Sequence, residues 1–154
     1  MNTSLSSRAP MVTMTSGLVL TVVATVVPFV GRPPGSLIAE HLRAGYPGYS
    51  ESQIAAAVGI YLIALTVVGA LGVVTWIVSM LVARRYVGAA RWVCAAAFVV
   101  GTGIALFDAS IRDTSGDTGL PLPVGVLGLL PSIAGAVALV LVWRRAGNRA
   151  PRTL

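Results

Sequence analysis

The chain has 154 residues, of which 56% are hydrophobic and only 10% charged, with a mean hydropathy of +0.86. A water-soluble domain of this size carries about a quarter charged residues and has nowhere to hide so much apolar side chain, so a soluble globular domain is excluded and lipid is the solvent for most of the protein. The formal charge of +6 and the pI near 10.8 come from eleven arginines and no lysine, placed in short segments flanking apolar runs rather than on one face among aromatics, which argues for membrane orientation and against nucleic-acid binding.

Four apolar runs, Met11 to Gly31, Ile54 to Val82, Ala90 to Phe107 and Pro121 to Trp143, are each near or above the 18 to 20 residues, roughly, that cross hydrocarbon. They predict an all-α, polytopic fold: one transmembrane domain over residues 1–154, with four helices in an antiparallel bundle. The spans are expected at about 11–31, 51–82, 90–108 and 120–143, with outer loops at 32–50 and 109–119. The first run follows Arg8 and so imitates a signal peptide, but its apolar stretch exceeds the usual 7 to 15 residues, roughly, and no A-x-A site precedes Arg32; an uncleaved span is expected.

After the first span, Pro33, Pro34 and Gly35 are expected to break the helix, and Ser36 to cap a short outer-loop helix closed by Gly45. Ile38 and Leu42, four apart, would give that helix a small apolar side for the outer leaflet or the mouth of the bundle. Ser50-Glu51-Ser52-Gln53 matches a capping box, with Tyr49 and Ile54 placed for a hydrophobic staple, so the second span should begin near Glu51. The third run contains Cys94, the single cysteine, which rules out an intramolecular disulfide and any CxxC redox or zinc pattern and is read as a small packing residue.

Between the third and fourth runs lies IRDTSGDTGLP, Ile111 to Pro121, containing the Asp117-Thr118-Gly119 tripeptide that in aspartic proteases carries a catalytic carboxylate. Such an enzyme needs two carboxylates brought face to face from β-rich lobes, and this chain offers one motif with an imperfect echo at Asp113. The stretch reads instead as a joint. Asp108 and Arg112 would pair at i,i+4, Thr114 to Gly119 would turn, Asp117 or Thr118 would cap the fourth helix, and Pro121 and Pro123 would occupy its first turn. Asp108, Asp113, Asp117, Glu40 and Glu51 share one side, but their spacing fails the calcium-loop pattern, and His41 is a lone loop histidine expected to be solvated. Catalytic, cofactor-binding and metal sites are accordingly expected to be none.

Orientation follows from the arginines. Arg8, the Arg84, Arg85 and Arg91 group, and the tail with Arg144, Arg145, Arg149 and Arg152 put eight on one side, against Arg32, Arg43 and Arg112 with every acidic residue on the other. Both termini are predicted to be cytoplasmic, with Trp76, Trp92 and Trp143 forming an inner interfacial belt.

Small residues recur along one face of each span: Thr13, Gly17, Thr21, Thr25 and Pro28 in the first, Gly69 and Gly72 in the second, Cys94, Ala97, Gly101 and Ala105 in the third, Gly125, Gly128, Ser132 and Gly135 in the fourth. These faces are expected to be packing seams, with Pro131 bending the fourth helix. With Asp108 taken as the outer boundary of the third span, no Asp, Glu, Lys, Arg or His lies in the interior of a span, which argues against a proton-coupled pump or small multidrug exporter. The single cysteine excludes a four-helix quinone-reducing thiol enzyme. The Thr13, Thr21 and Thr25 hydroxyls are candidate pore lining in an oligomer, although bonding to backbone one turn back is the simpler expectation.

The block YPGYSESQIAAAVGIYLIALTVVGALGVVTWIVSMLVARR, with RDTSGDTGLP and LPSIAGAVALVLVWRR, resembles an uncharacterised family of four-span integral membrane proteins of actinobacteria. The resemblance implies a four-helix plan and a plasma-membrane location, and carries no activity. The functional expectation is a non-enzymatic structural or partner-binding subunit, self-associating or joined to another membrane protein, without cofactor or nucleic acid. The alternative is a small oligomeric channel or facilitator for a small solute.

Overall fold

The computed structural model describes residues 3–30, 36–112, 116 and 118–147. It is all-helical: α1 (Thr3–Val26) runs into a 3₁₀ turn at Val27–Phe29, followed by α2 (Ser36–Gly45), α3 (Glu51–Arg85), α4 (Val87–Ser110) and α5 (Leu122–Gly147). The helices α1, α3, α4 and α5 are each long and apolar enough to cross a membrane. They close a ring in which α1 and α4 each pack against both α3 and α5, so neighbours around the ring are antiparallel. One end of the bundle carries Arg8, Arg84, Arg85, Arg91, Arg144 and Arg145, and the other carries α2 and the α4–α5 joint.

Several boundaries differ from the sequence reading, each for a local reason. The α-helix of the first span stops at Val26 because Pro28 has no N–H to offer the carbonyl of Ala24, and the chain tightens into a 3₁₀ turn; Pro33, Pro34 and Gly35 lie outside the described residues. With 35 residues, α3 is about 52 Å long, well beyond the roughly 30 Å of hydrocarbon, so its first turns stand clear of a bilayer or the helix tilts. That projecting end is where α2 docks: Ile38 and Leu42 are buried against Ile54 and Val58, with Tyr46, Tyr61, Leu62 and Leu65 around them. The short helix thus sits on α3, and its i,i+4 apolar pair is used up there.

The capping box at the start of α3 forms as the sequence predicts, Gln53 N–H donating to Ser50 Oγ at 3.4 Å and Ser50 N–H to Gln53 Oε1 at 2.8 Å. Tyr49 does not staple to Ile54. It stacks on Tyr46 with ring centroids 4.6 Å apart and stays exposed, while Ile54 is taken by α2.

A second core closes the arginine-rich end, where Met14, Ala83, Ala90, Cys94, Ala138 and Val142 are buried together, flanked by Met11, Trp76 and Met80. Outside the bundle, residues such as Ile60, Ile63, Val99 and Ile133 are mostly exposed, an apolar coat that suits lipid and would be costly in water.

Candidate ligand cavity

Between the two cores the bundle is hollow. A cavity of about 580 Å³ is lined by all four long helices, within the roughly 300–1,000 Å³ usual for small-molecule sites. Its walls are built in two different ways.

The α1–α3 wall is closed by contact. The Trp76 ring lies on Gly17, where any Cβ would overlap it, and Trp76 Nε1–H donates to Thr21 Oγ1 at 2.9 Å. Thr21 in turn donates to the Gly17 carbonyl at 2.9 Å and Thr25 to the Thr21 carbonyl at 2.8 Å, while Thr13 bonds the Ala9 carbonyl. Across the seam Gly69 leaves no room for a side chain beside Thr25, and a Cβ on Gly72 would stand 2.9 Å from Thr21 Cγ2. These threonines therefore bond backwards as expected, and the seam is a true small-residue contact.

The α4–α5 wall is hollow on its inner side. Gly135 meets Phe98, with a Cβ placed 3.1 Å away, and Gly125 meets Ala109 at 3.7 Å, but a Cβ on Gly101 or Gly128 would meet nothing within 4 Å. Ala97, Gly101, Ala105, Gly128 and Ser132 line the cavity, so much of the small-residue face expected to be a packing seam is instead the surface of a void. Pro131, inside α5, lines it too and cannot donate to the Leu127 carbonyl.

Met14, Trp76, Cys94 and Ala138 form the floor, at the arginine-rich end, and Leu120 and Val124 the roof. Over the roof His41 Nε2–H donates to the Thr118 carbonyl, tying α2 to the α4–α5 joint, so His41 is a structural tie where a solvated residue was expected. The remaining side is open. Val68, Leu71 and Thr75 of α3 and Ala96, Val100 and Ile104 of α4 line the cavity and are also exposed, Leu71 and Val100 each by 61%, so the gap between α3 and α4 is a lateral slot facing lipid.

Two polar groups in this lining lack partners. Every other helix threonine with a described side chain bonds the carbonyl one turn back, whereas Thr102 Oγ1 is buried with no hydrogen-bond partner. Asp108 is half-buried at the loop end of the cavity, with no hydrogen bond or ion pair among the described residues. It does not bound the span: α4 continues to Ser110, and Asp108 points into the bundle. Nor does it pair with Arg112, because the helix ends before Arg112, which forms an antiparallel bridge with Thr118. The sequence reading missed this residue as part of a site. The signal was present, since Ala97, Gly101, Ala105 and Asp108 fall on one helical face and the carboxylate is the end of the small-residue stripe.

The remaining acidic candidates do other things. Glu51 is gripped by Arg43 at 3.0 Å and 2.7 Å, a bidentate pair whose hydrogen bond and charge raise the Arg43 pKa above its ordinary value. Glu40 is exposed, and Asp113 and Asp117 lie outside the described residues. No three potential metal ligands converge among the described residues. Of the protease-like tripeptide, Thr118 donates its hydroxyl to the Leu120 carbonyl instead of capping α5, and the first bonds of that helix go to the Pro121 carbonyl. Gly116, at φ 92°, supplies the left-handed turn residue.

At the arginine-rich end Trp92 and Trp143 are exposed and packed edge to face at 5.6 Å, with the Arg91 guanidinium 5.5 Å and 5.8 Å from their ring centres. They fit an interfacial belt. Trp76 does not belong to it, because its ring is turned into the bundle. The chain matches no protein-family model, no curated protein and no solved structure.

Proposed function

We propose that the protein is a non-enzymatic, multi-pass binding subunit of the bacterial plasma membrane that takes a lipophilic molecule sideways from the bilayer into its bundle. The observation that carries this is the cavity itself: apolar over most of its lining, floored by a packed core and opened between α3 and α4 toward the hydrocarbon. The arginine count supports an orientation with the floor toward the cytoplasm and the roof outside, so that the guest comes from the outer half of the membrane. The likeness of the DTSGDTGLP and LPSIAG stretches to the actinobacterial four-span group supports the same location. A cysteine at position 113 should react with an impermeant reagent added outside intact cells, and labelling only after lysis would reverse the orientation.

The alternative, a small oligomeric channel, draws on Thr21 and Thr25, which do line the cavity. Met14, Ala83, Ala90, Cys94, Ala138 and Val142 fill the axis at the arginine-rich end, so no polar path continues through one bundle. Native mass spectrometry of the protein released from membranes tests the reading. It should show a retained apolar mass on the natural chain and its loss from Gly128→Leu, which puts a branched side chain into the void; identical spectra for both chains would defeat it.

A further inference from the structure

We infer that the guest is a cationic amphiphile, its positive head at Asp108 and its hydrocarbon tail reaching down the cavity toward Trp76. The inference rests on the cavity being a ligand site, and adds which chemical class it selects.

Asp108 lines the loop end of a void whose other walls are almost wholly apolar, and no cation among the described residues is paired with it. A carboxylate facing a low-dielectric cavity is costly unless something of opposite charge or a hydrogen-bond donor meets it. Ionisable groups at such places in membrane proteins mark binding sites. None of the basic groups at this end is paired with it: Arg43 is held by Glu51, His41 by the Thr118 carbonyl, and Arg112 is exposed and forms no ion pair among the described residues. A guest that brings its own positive charge supplies what the protein leaves out.

From Asp108 to Cys94 on the floor is fourteen residues along α4, about 21 Å of depth, which suits an extended chain rather than a compact solute. Along that path α4 and α5 present mostly small residues, Ala97, Gly101, Ala105, Gly128 and Gly135, beside larger ones such as Phe98, with Thr102 one to two turns below the carboxylate. Access is lateral, so the molecule need not leave the membrane to enter. Anionic and neutral amphiphiles fit the shape equally well, and only the charge separates them.

The test uses Trp76, which borders the floor, as reporter. The full chain carrying Trp92→Phe and Trp143→Phe, in nanodiscs of zwitterionic lipid, is titrated with two probes of one chain length, ω-bromododecyl trimethylammonium and ω-bromododecanol. Bromine quenches the indole it touches. The ammonium probe should quench saturably, at a concentration about tenfold lower than the alcohol. Asp108→Asn should bring the two probes together while leaving the alcohol unchanged, which also reports that the variant is folded; Asp108→Glu should restore the preference. Gly128→Leu should abolish quenching by both. Equal quenching by both probes in the natural chain, or a preference that survives Asp108→Asn, overturns the inference while leaving the cavity reading intact. No saturable quenching by either probe, or quenching indifferent to Gly128→Leu, overturns both.

Discussion

The two faces of this bundle use the same residue types to opposite ends. On the α1–α3 side glycine is where two helices touch: Trp76 covers Gly17, Thr25 fills the space beside Gly69, and Thr21 that beside Gly72. On the α4–α5 side Gly101 and Gly128 face emptiness. Lipid gives helices little hydrophobic reason to associate, so close backbone contact is a main source of cohesion, and a bundle in which α5 packs on both α1 and α4 and α1 seals against α3 can leave an inner face hollow without falling apart. A stripe of small residues therefore marks either an approach or a space, and what stands across from it decides which.

That contrast can be broken most forcefully by adding bulk to each face in turn. Gly69→Leu should prevent α1 and α3 from meeting and leave little folded protein, visible as loss of a cooperative melting transition in detergent. Gly101→Leu should fold with an unchanged or higher Tm, because the side chain enters a void. The milder pair sharpens the point: Gly69→Ala should cost about 1–3 kcal/mol through overpacking against Thr25. Gly101→Ala should be neutral or gain up to about 1 kcal/mol from helix propensity. If the two alanine variants melt alike, the faces do not differ as described.

The same contrast explains what could be read from the chain alone. Four spans, the capping box, the i,i+4 docking pair of α2 and the backward-bonding threonines are all local: each depends on spacing within one helix, and each is found where the spacing puts it. The role of Asp108 is not local. Whether the face Ala97, Gly101, Ala105 and Asp108 is buried by a neighbour or borders a cavity depends on how far α3 stands off from α4, the least closely packed neighbours in the ring, and on Phe98 meeting Gly135. His41 was likewise illegible, since its partner is the Thr118 carbonyl seventy-seven residues away, brought near only when α2 and the α4–α5 joint meet over the roof. Trp76 was misplaced because a tryptophan near a span end has the same spacing whether it turns out to lipid or in onto glycine.

A smaller effect isolates the polar part of the sealed seam. Thr21→Val keeps the shape but removes the acceptor of the Trp76 Nε1–H bond, leaving a partly buried donor unmet. Interhelical hydrogen bonds in membranes average about 0.6 kcal/mol and reach about 1.7 kcal/mol. A loss of about 1 kcal/mol in a denaturant titration is expected, with a red-shifted Trp76 emission as the indole reorients. Thr13→Val, whose hydroxyl bonds only within α1, should do much less to either reading.

The smallest effect lies outside both faces, at the head of α3. The capping box there is asymmetric: the Ser50 Oγ acceptor is at a long 3.4 Å, whereas the reciprocal bond from the Ser50 backbone to Gln53 Oε1 is 2.8 Å and survives loss of the serine hydroxyl. Ser50→Ala should therefore fall at the low end of cap substitutions, about 0.5 kcal/mol, and Gln53→Ala should cost at least as much despite being the less obvious cap residue. Because α2 rests on Ile54 and Val58 just beyond the cap, the loss should appear first as faster hydrogen exchange in α2 and the first turns of α3. The seam begins four helical turns further down, at Gly69, so neither variant should change probe quenching of Trp76. If either does, the head and the cavity are coupled through the His41 tie, and the bundle's closed and open faces are not independent of what sits on top of them.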